Sequence, residues 1–130
     1  MSYYFNKVLP GISFEEAVEN VTDQLKVEGF GVLTEIDMKD TLKEKIDVDF
    51  KRYTILGACN PHYAYKVLQK EDKIGAFLPC NVIVEEHDNG AIEVSVVDPI
   101  AAMRSVENPD LGDVAIEVQQ KLKSVIDNLG

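Results

Sequence analysis

The chain of 130 residues has no tryptophan, only two histidines and only two cysteines. Two cysteines cannot build the multi-bridge framework that holds small secreted domains together, so free thiols and a cytoplasmic setting are expected. No apolar run approaches the ~20 residues that cross a bilayer. The opening Met1-Ser2-Tyr3-Tyr4-Phe5-Asn6-Lys7 lacks a charged stretch followed by an apolar one, so no secretory signal is expected. Basic residues are scarce: Lys+Arg number 13 against 23 Asp+Glu, a formal net charge of −10. That balance argues against nucleic acid and against an anionic membrane, because both demand a basic surface. Repeats, low-complexity segments and linkers are missing as well. The remaining reading is one domain over residues 1–130, long enough to bury a core of its own.

Residues 3–9 are aromatic and β-branched and predict a first strand, broken by Pro10-Gly11. Ser13 with Glu16 makes a capping box. Phe14, Val18, Val21 and Leu25 then follow one helical stripe, with Ala17 beside them, and Gly29 is placed to end that helix in a left-handed conformation. Gly31 to Met38 reads as a second strand with Val32, Thr34 and Ile36 on one face. Residues 41–47 read as a short helix with Thr41 and Glu44 at the capping spacing. Tyr53 to Cys59 is apolar on both faces, which predicts an interior strand. Asn60-Pro61 opens a further helix to about Lys70, with an apolar stripe of Ala64, Val67 and Leu68. The segment from Glu71 to Phe77 is a loop or a further helical turn. Asn81 to His87 and Ala91 to Val97 are strands four and five.

Asp88-Asn89-Gly90 between the last two strands permits a two-residue turn or a three-residue loop with Gly90 left-handed. The longer loop sets Val82 opposite Val96 and Val84 opposite Val94. That gathers the apolar side chains on one face, and a one-residue slip would invert them all, so this register is preferred. It also sets Cys80 opposite Asp98. After Pro99, residues 100–107 are irregular or briefly helical, and Asn108-Pro109 opens the last helix. Leu111, Val114, Val118, Leu122, Val125 and Leu129 keep its 3-4 spacing. The pattern is α+β: a two-layer domain with an antiparallel sheet of about five strands and two long helices on one face. Two layers leave the other sheet face bare. That face must be polar, covered by a ligand or buried in another subunit. Ile83, Ile55 or Leu56, and several tyrosines are its expected lining, which favours a dimer.

Gly-Ala-Cys-Asn-Pro-x-x-Ala at 57–64, Leu-Pro-Cys at 78–80, Asp-Asn-Gly at 88–90 and Asp-Pro-x-x-x-Met at 98–103 together resemble a bacterial and archaeal family known only as domain of unknown function three-hundred-two. The resemblance spans nearly the whole chain. It implies a fold like that of the TATA-box-binding protein: a strand, a helix, four antiparallel strands and a helix, here with a helical insert. It also implies homodimers and no DNA binding. Asn60, Pro61 and Pro79 look like structure shared by the family, whereas Cys59 and Cys80 look specific to a branch of it. The resemblance names no reaction, and no catalytic residue is assigned.

The chemistry-bearing residues are Cys59 and Cys80. If strands three and four are antiparallel neighbours, as the resemblance implies, the 61–79 excursion returns to its start and the two cysteines lie side by side. Cys59 precedes a helix N-terminus, where the dipole favours thiolate. His62, in the first turn of that helix, and Asp98 complete the set. Four readings stand. The cysteines are small packing residues. Or, with His62 or Met103, they hold zinc or copper(I). Or they form a redox or sulfur-carrying dithiol. Or a single cysteine acts as nucleophile with His62 as base. Other groups are read as structural: His87 as solvated beside the turn, and Glu85, Glu86 and Asp88 as an acidic strand end that discourages edge pairing. Tyr53, Tyr63 and Tyr65 line a ligand pocket or a dimer interface. The leading functional reading is a homodimeric module that binds a small ligand, a metal ion or a partner near Cys59 and Cys80. The rival is a thiol-dependent redox or sulfur-transfer accessory enzyme.

Overall fold

A computed structural model describes residues 2–130. Five strands, β1 (Tyr4–Leu9), β2 (Gly31–Asp37), β3 (Tyr53–Cys59), β4 (Cys80–Glu86) and β5 (Ile92–Val97), form one antiparallel sheet in the order β1-β5-β4-β3-β2. The helices are α1 (Phe14–Val27), α2 (Met38–Ile46), α3 (Pro61–Lys70), the single-turn α4 (Pro99–Ala102) and α5 (Gly112–Asp127). The expected two-layer α+β architecture is the one observed.

Because β1 and β2 are opposite edges of the sheet, α1 must cross its whole width. Its 14 residues reach about 21 Å at the α-helical rise. Four strand spacings amount to about 19 Å, so the lengths match. The Ser13 side chain accepts the Glu16 N–H at 3.1 Å, and Gly29 follows the helix with φ +84°. Phe14, Ala17, Val21 and Leu25 are buried against the sheet together with Val114, Val118, Leu122 and Val125 of α5. From the sheet come Leu56, Ala58, Val82, Val84, Ile92, Val94 and Val96. Leu56 therefore belongs to the helix-covered face, while Ile55 and Ile83, paired across β3 and β4, lie on the bare one.

The hairpin has the three-residue loop. Val82 pairs with Val96 and Val84 with Val94. Gly90 takes φ +85° and donates to the His87 carbonyl at 2.9 Å, which an L side chain at that φ would oppose. The ladder ends at Val82–Val96, so Cys80 does not pair with Asp98. It pairs with Ala58 instead, and Asp98 caps α4 by accepting the Ile100 N–H at 3.0 Å.

Three local expectations are corrected. In β2 a bulge between Val32 and Thr34 sets Val32 against Ala58 but Thr34 against Gly57 and Ile36 against Ile55. One extra residue reverses the alternation, so Val32 joins the helix side and Thr34 and Ile36 the bare side. The helix expected over 41–47 starts at Met38, because Asp37, not Thr41, accepts the first free amide, from Asp40 at 3.0 Å. In α3 only Val67 is buried; Leu68 is exposed. The 71–77 segment is a 3-10 helix over Asp72–Phe77, anchored by the buried Ile74. No helix among the described residues is long and apolar enough to cross a membrane.

Gly57 allows a close approach on the bare face. A Cβ there would overlap Thr34 Oγ1 and lie 2.7 Å from Pro79 Cγ. Gly57→Ala is expected to destabilise the fold by about 1–3 kcal/mol, the usual cost of overpacking, read as a lower denaturation midpoint at unchanged slope. A midpoint equal to that of the unsubstituted chain would show that Thr34 and Pro79 yield freely to the added methyl group.

Candidate functional site

Alternation along the strands decides what the bare sheet face presents. From β3 it takes Tyr53 and Ile55, from β4 Asn81, Ile83 and Glu85, and from β5 Glu93, Ser95 and Val97. The face is concave. The turn ending in Phe77-Leu78-Pro79 and the segment from Pro99 to Met103 rise along one end, and Tyr3, Tyr4 and Tyr53 contribute the aromatic wall. They enclose a cleft of about 610 Å³, within the usual range for small-molecule sites. Tyr3 and Tyr4 meet edge to face with ring centres 5.1 Å apart.

Carboxylates mark the far end of the cleft. Glu85 and Glu93 are directly opposite each other in the β4–β5 ladder. Like charges so placed repel, and positive or donor groups gather on them. Lys51 Nζ lies 2.6 Å from Glu85 Oε1. His87 Nε2 is 2.7 Å from Glu93 Oε1, and the Asn6 amide donates to Glu93 Oε2 at 2.6 Å. Those bonds, the Asn6 donor first and His87 second, hold the Glu93 carboxyl below the usual carboxylate range. Stability from this group is therefore present above its unfolded-state pKa and lost as pH falls through the lowered folded value. Desolvation, with Glu85 nearby, pushes the Tyr53 phenol up.

His87 is thus not simply solvated, and the acidic group is not an edge device. β4 is the central strand, and Glu85 and Glu93 are only 17% and 16% exposed. Glu85, His87 and Glu93 each present a ligand atom, and these atoms all lie within 4.8 Å of one another. Sequence reasoning passed over this trio. The signal was available: Glu85 and His87 are two apart in the strand expected over 81–87, and the register that pairs Val84 with Val94 also pairs Glu85 with Glu93.

The cysteines occupy the opposite end. β3 and β4 are antiparallel neighbours, and the 61–79 excursion does return to its start. Cys59 and Cys80 both line a second, much smaller cavity of about 30 Å³, walled by Phe30, Tyr63, Val67, Val114 and Val118. Leu78, Cys80 and Met103 line this cavity and the cleft alike, so they form the partition between them. His62 is exposed on the first turn of α3, and among the described residues it does not join the two cysteines in a group of ligand distance. The tyrosines divide: Tyr53 walls the cleft, Tyr63 lines the small cavity and Tyr65 is exposed on α3.

Both thiols are free, and both are pushed up rather than down. Burial raises Cys59 and carries Cys80 to about 11, with the neighbouring Cys59 adding to it. The helix N-terminus does not reverse this. The Asn60 side chain already accepts the His62 N–H at 3.2 Å, leaving that donor unavailable to the Cys59 sulfur. The expected behaviour is slow alkylation of Cys59 by iodoacetamide near neutral pH and none of Cys80 until the chain unfolds. Rapid modification of Cys80 in the native protein would contradict the burial argument.

Comparison with known proteins gives a consistent outcome. The profile of the family described as "Domain of unknown function DUF302" matches residues 5–129. A crystal structure of an uncharacterized conserved DUF302 protein from Bacillus stearothermophilus superposes with a TM-score of 0.91 at 27% identity, covering 100% of both chains. An uncharacterized protein of Aquifex aeolicus is 26% identical over 78 residues, which are 58% of this chain and 54% of that protein. The matched region is thus about half the length of that curated relative.

Proposed function

Since the chain belongs to the DUF302 family, whose description names no reaction, we propose a function from the cleft itself: a binding module for a small molecule with an apolar or aromatic body and a positive end. The observation that carries this reading is the pairing of an apolar floor and tyrosine walls with two carboxylates at one end of a 610 Å³ cleft. Ile83 and Val97 accept an apolar body, while Ser95, Asn81 and the tyrosine hydroxyls offer hydrogen bonds. Glu85 and Glu93 attract a cation, and the net charge of −10 repels anions. The binding reading is supported by the state of Cys80, the thiol that borders the cleft, which burial holds neutral.

The module works as a homodimer in the same reading. Tyr4, Val8 and Ile36 stand 39%, 50% and 44% exposed on the flanks of the bare face, and a second copy is a fitting cover for such a surface. The thiol-dependent alternative draws support from the cavity that Cys59 and Cys80 share, against which stands the upward push on both thiols.

Amide-resolved NMR with two probes of like shape and opposite charge tests the ligand class. Benzamidine is expected to shift the amides of Tyr53, Ile83, Ser95 and Glu93, and benzoate to leave them in place. Equal response to both probes, or shifts confined to the α1–α5 side, would contradict the reading. Sedimentation velocity on the same samples reads the assembly: a dimer is expected, and a monomer at every concentration removes that part.

A further inference from the structure

We infer that Glu85, His87 and Glu93 form a binding site for a divalent transition-metal ion, zinc above all, at the carboxylate end of the cleft. The site goes beyond the ligand reading: the ion and the positive end of an organic ligand are alternative occupants of Glu85 and Glu93.

The geometry comes from the hairpin. His87 follows the last residue of β4 and is held in the hairpin by donating its N–H to the Ala91 carbonyl at 2.9 Å, and the ladder delivers Glu93 from β5 directly opposite Glu85. One imidazole nitrogen and two carboxylate oxygens thus converge from the β4–β5 hairpin, all within 4.8 Å of one another. Ligands bound at about 2.0–2.2 Å around a tetrahedral ion lie roughly 3.3–3.6 Å apart. The 2.7 Å between His87 Nε2 and Glu93 Oε1 needs only a small opening to reach that spacing.

An outer support is present as well. Asn6 holds Glu93 Oε2 at 2.6 Å, which leaves Oε1 directed at His87. Hydrogen bonds of this kind orient metal ligands. The donor set chooses the metal. Imidazole with two carboxylates suits a borderline cation such as zinc or manganese. It does not suit magnesium or calcium, which prefer all-oxygen shells, nor copper(I), which prefers sulfur. Three protein ligands leave a coordination position free, and Glu85 and Glu93 both line the cleft. An ion here faces whatever enters it.

Lys51 is the competitor. Its Nζ is 2.6 Å from Glu85 Oε1, and the side chain is 35% exposed. It acts as a tethered cation that neutralises the carboxylate pair in the metal-free protein and must swing away for an ion to bind. A part-exposed lysine–carboxylate pair is weak, so the displacement is readily offset. Removing the lysine therefore strengthens metal binding, a result that damage to the fold cannot imitate.

The test is calorimetric titration of the full chain with zinc chloride, and with magnesium chloride as control, followed by cobalt(II) absorption spectra. About one equivalent of zinc is expected to bind, and magnesium not to compete. His87→Gln and Glu93→Gln should each weaken zinc by about tenfold or more, and Lys51→Met should tighten it. Cobalt(II) should show only the weak bands of nitrogen and oxygen ligands. A strong thiolate-to-cobalt band would assign the ion to Cys59 and Cys80 and overturn the proposal. So would zinc affinity weaker than millimolar, or an affinity that neither His87→Gln nor Lys51→Met moves.

Discussion

Two carboxylates face each other across the β4–β5 ladder, and the rest of the uncovered surface is arranged around that conflict. Glu85 and Glu93 are paired in register and mostly shielded from water. Like charges in that position destabilise a sheet unless something positive answers them. Lys51, His87 and Asn6 converge on them from the segment preceding β3, from the hairpin and from β1. A surface that already recruits cationic and donor groups from three parts of its own chain is suited to recruit them from solution. The binding cleft and the metal site follow from the same field.

That field has effect because, among the described residues, one side of the sheet carries neither of the two long helices. The α1 and α5 stripes fill the other side completely, with Val21, Leu25, Leu122 and Val125 at 0–1% exposure. No long helix remains to cover Ile55, Ile83 and Tyr53. Short irregular pieces close the ends instead. The 3-10 turn running into Pro79 and the segment beginning at Pro99 give the bare face its depth, and Gly57 leaves room for the Thr34 and Pro79 side chains over β3. A flat sheet face would offer an interface; these rims make it a cleft.

Hydrophobic period and capping chemistry made most of the architecture legible in the sequence. The α5 stripe, the Ser13 cap and the Asn60-Pro61 helix start are local signals, and local physics realised them. The hairpin register was legible because a slip would have turned Val82, Val84, Val94 and Val96 outward. The β2 bulge was not legible: one extra residue leaves no trace in a pattern as short as Val32-Leu33-Thr34. The sequence directs attention to the cysteine end of the sheet, whereas the carboxylates lie at the other end of the cleft. Cysteine draws attention by its chemistry, yet the character of a thiol depends on burial, and Cys80 sits among Val67, Val114 and Val118. Glu85 and Glu93 are ordinary residues that acquire meaning only when the register sets them face to face. That register had already been chosen on apolar grounds.

The account depends on donors and cations outweighing the mutual repulsion of the two carboxylates, and Glu93 reports on this most directly. Carboxyl-carbon NMR, followed through an acid titration of the folded protein, measures that balance at the group itself. The account predicts a Glu93 pKa below the value of about 4.3 for an unperturbed glutamate. A Glu93 that titrates above that value would mean that repulsion and desolvation prevail, and the cation-seeking end of the cleft would not exist.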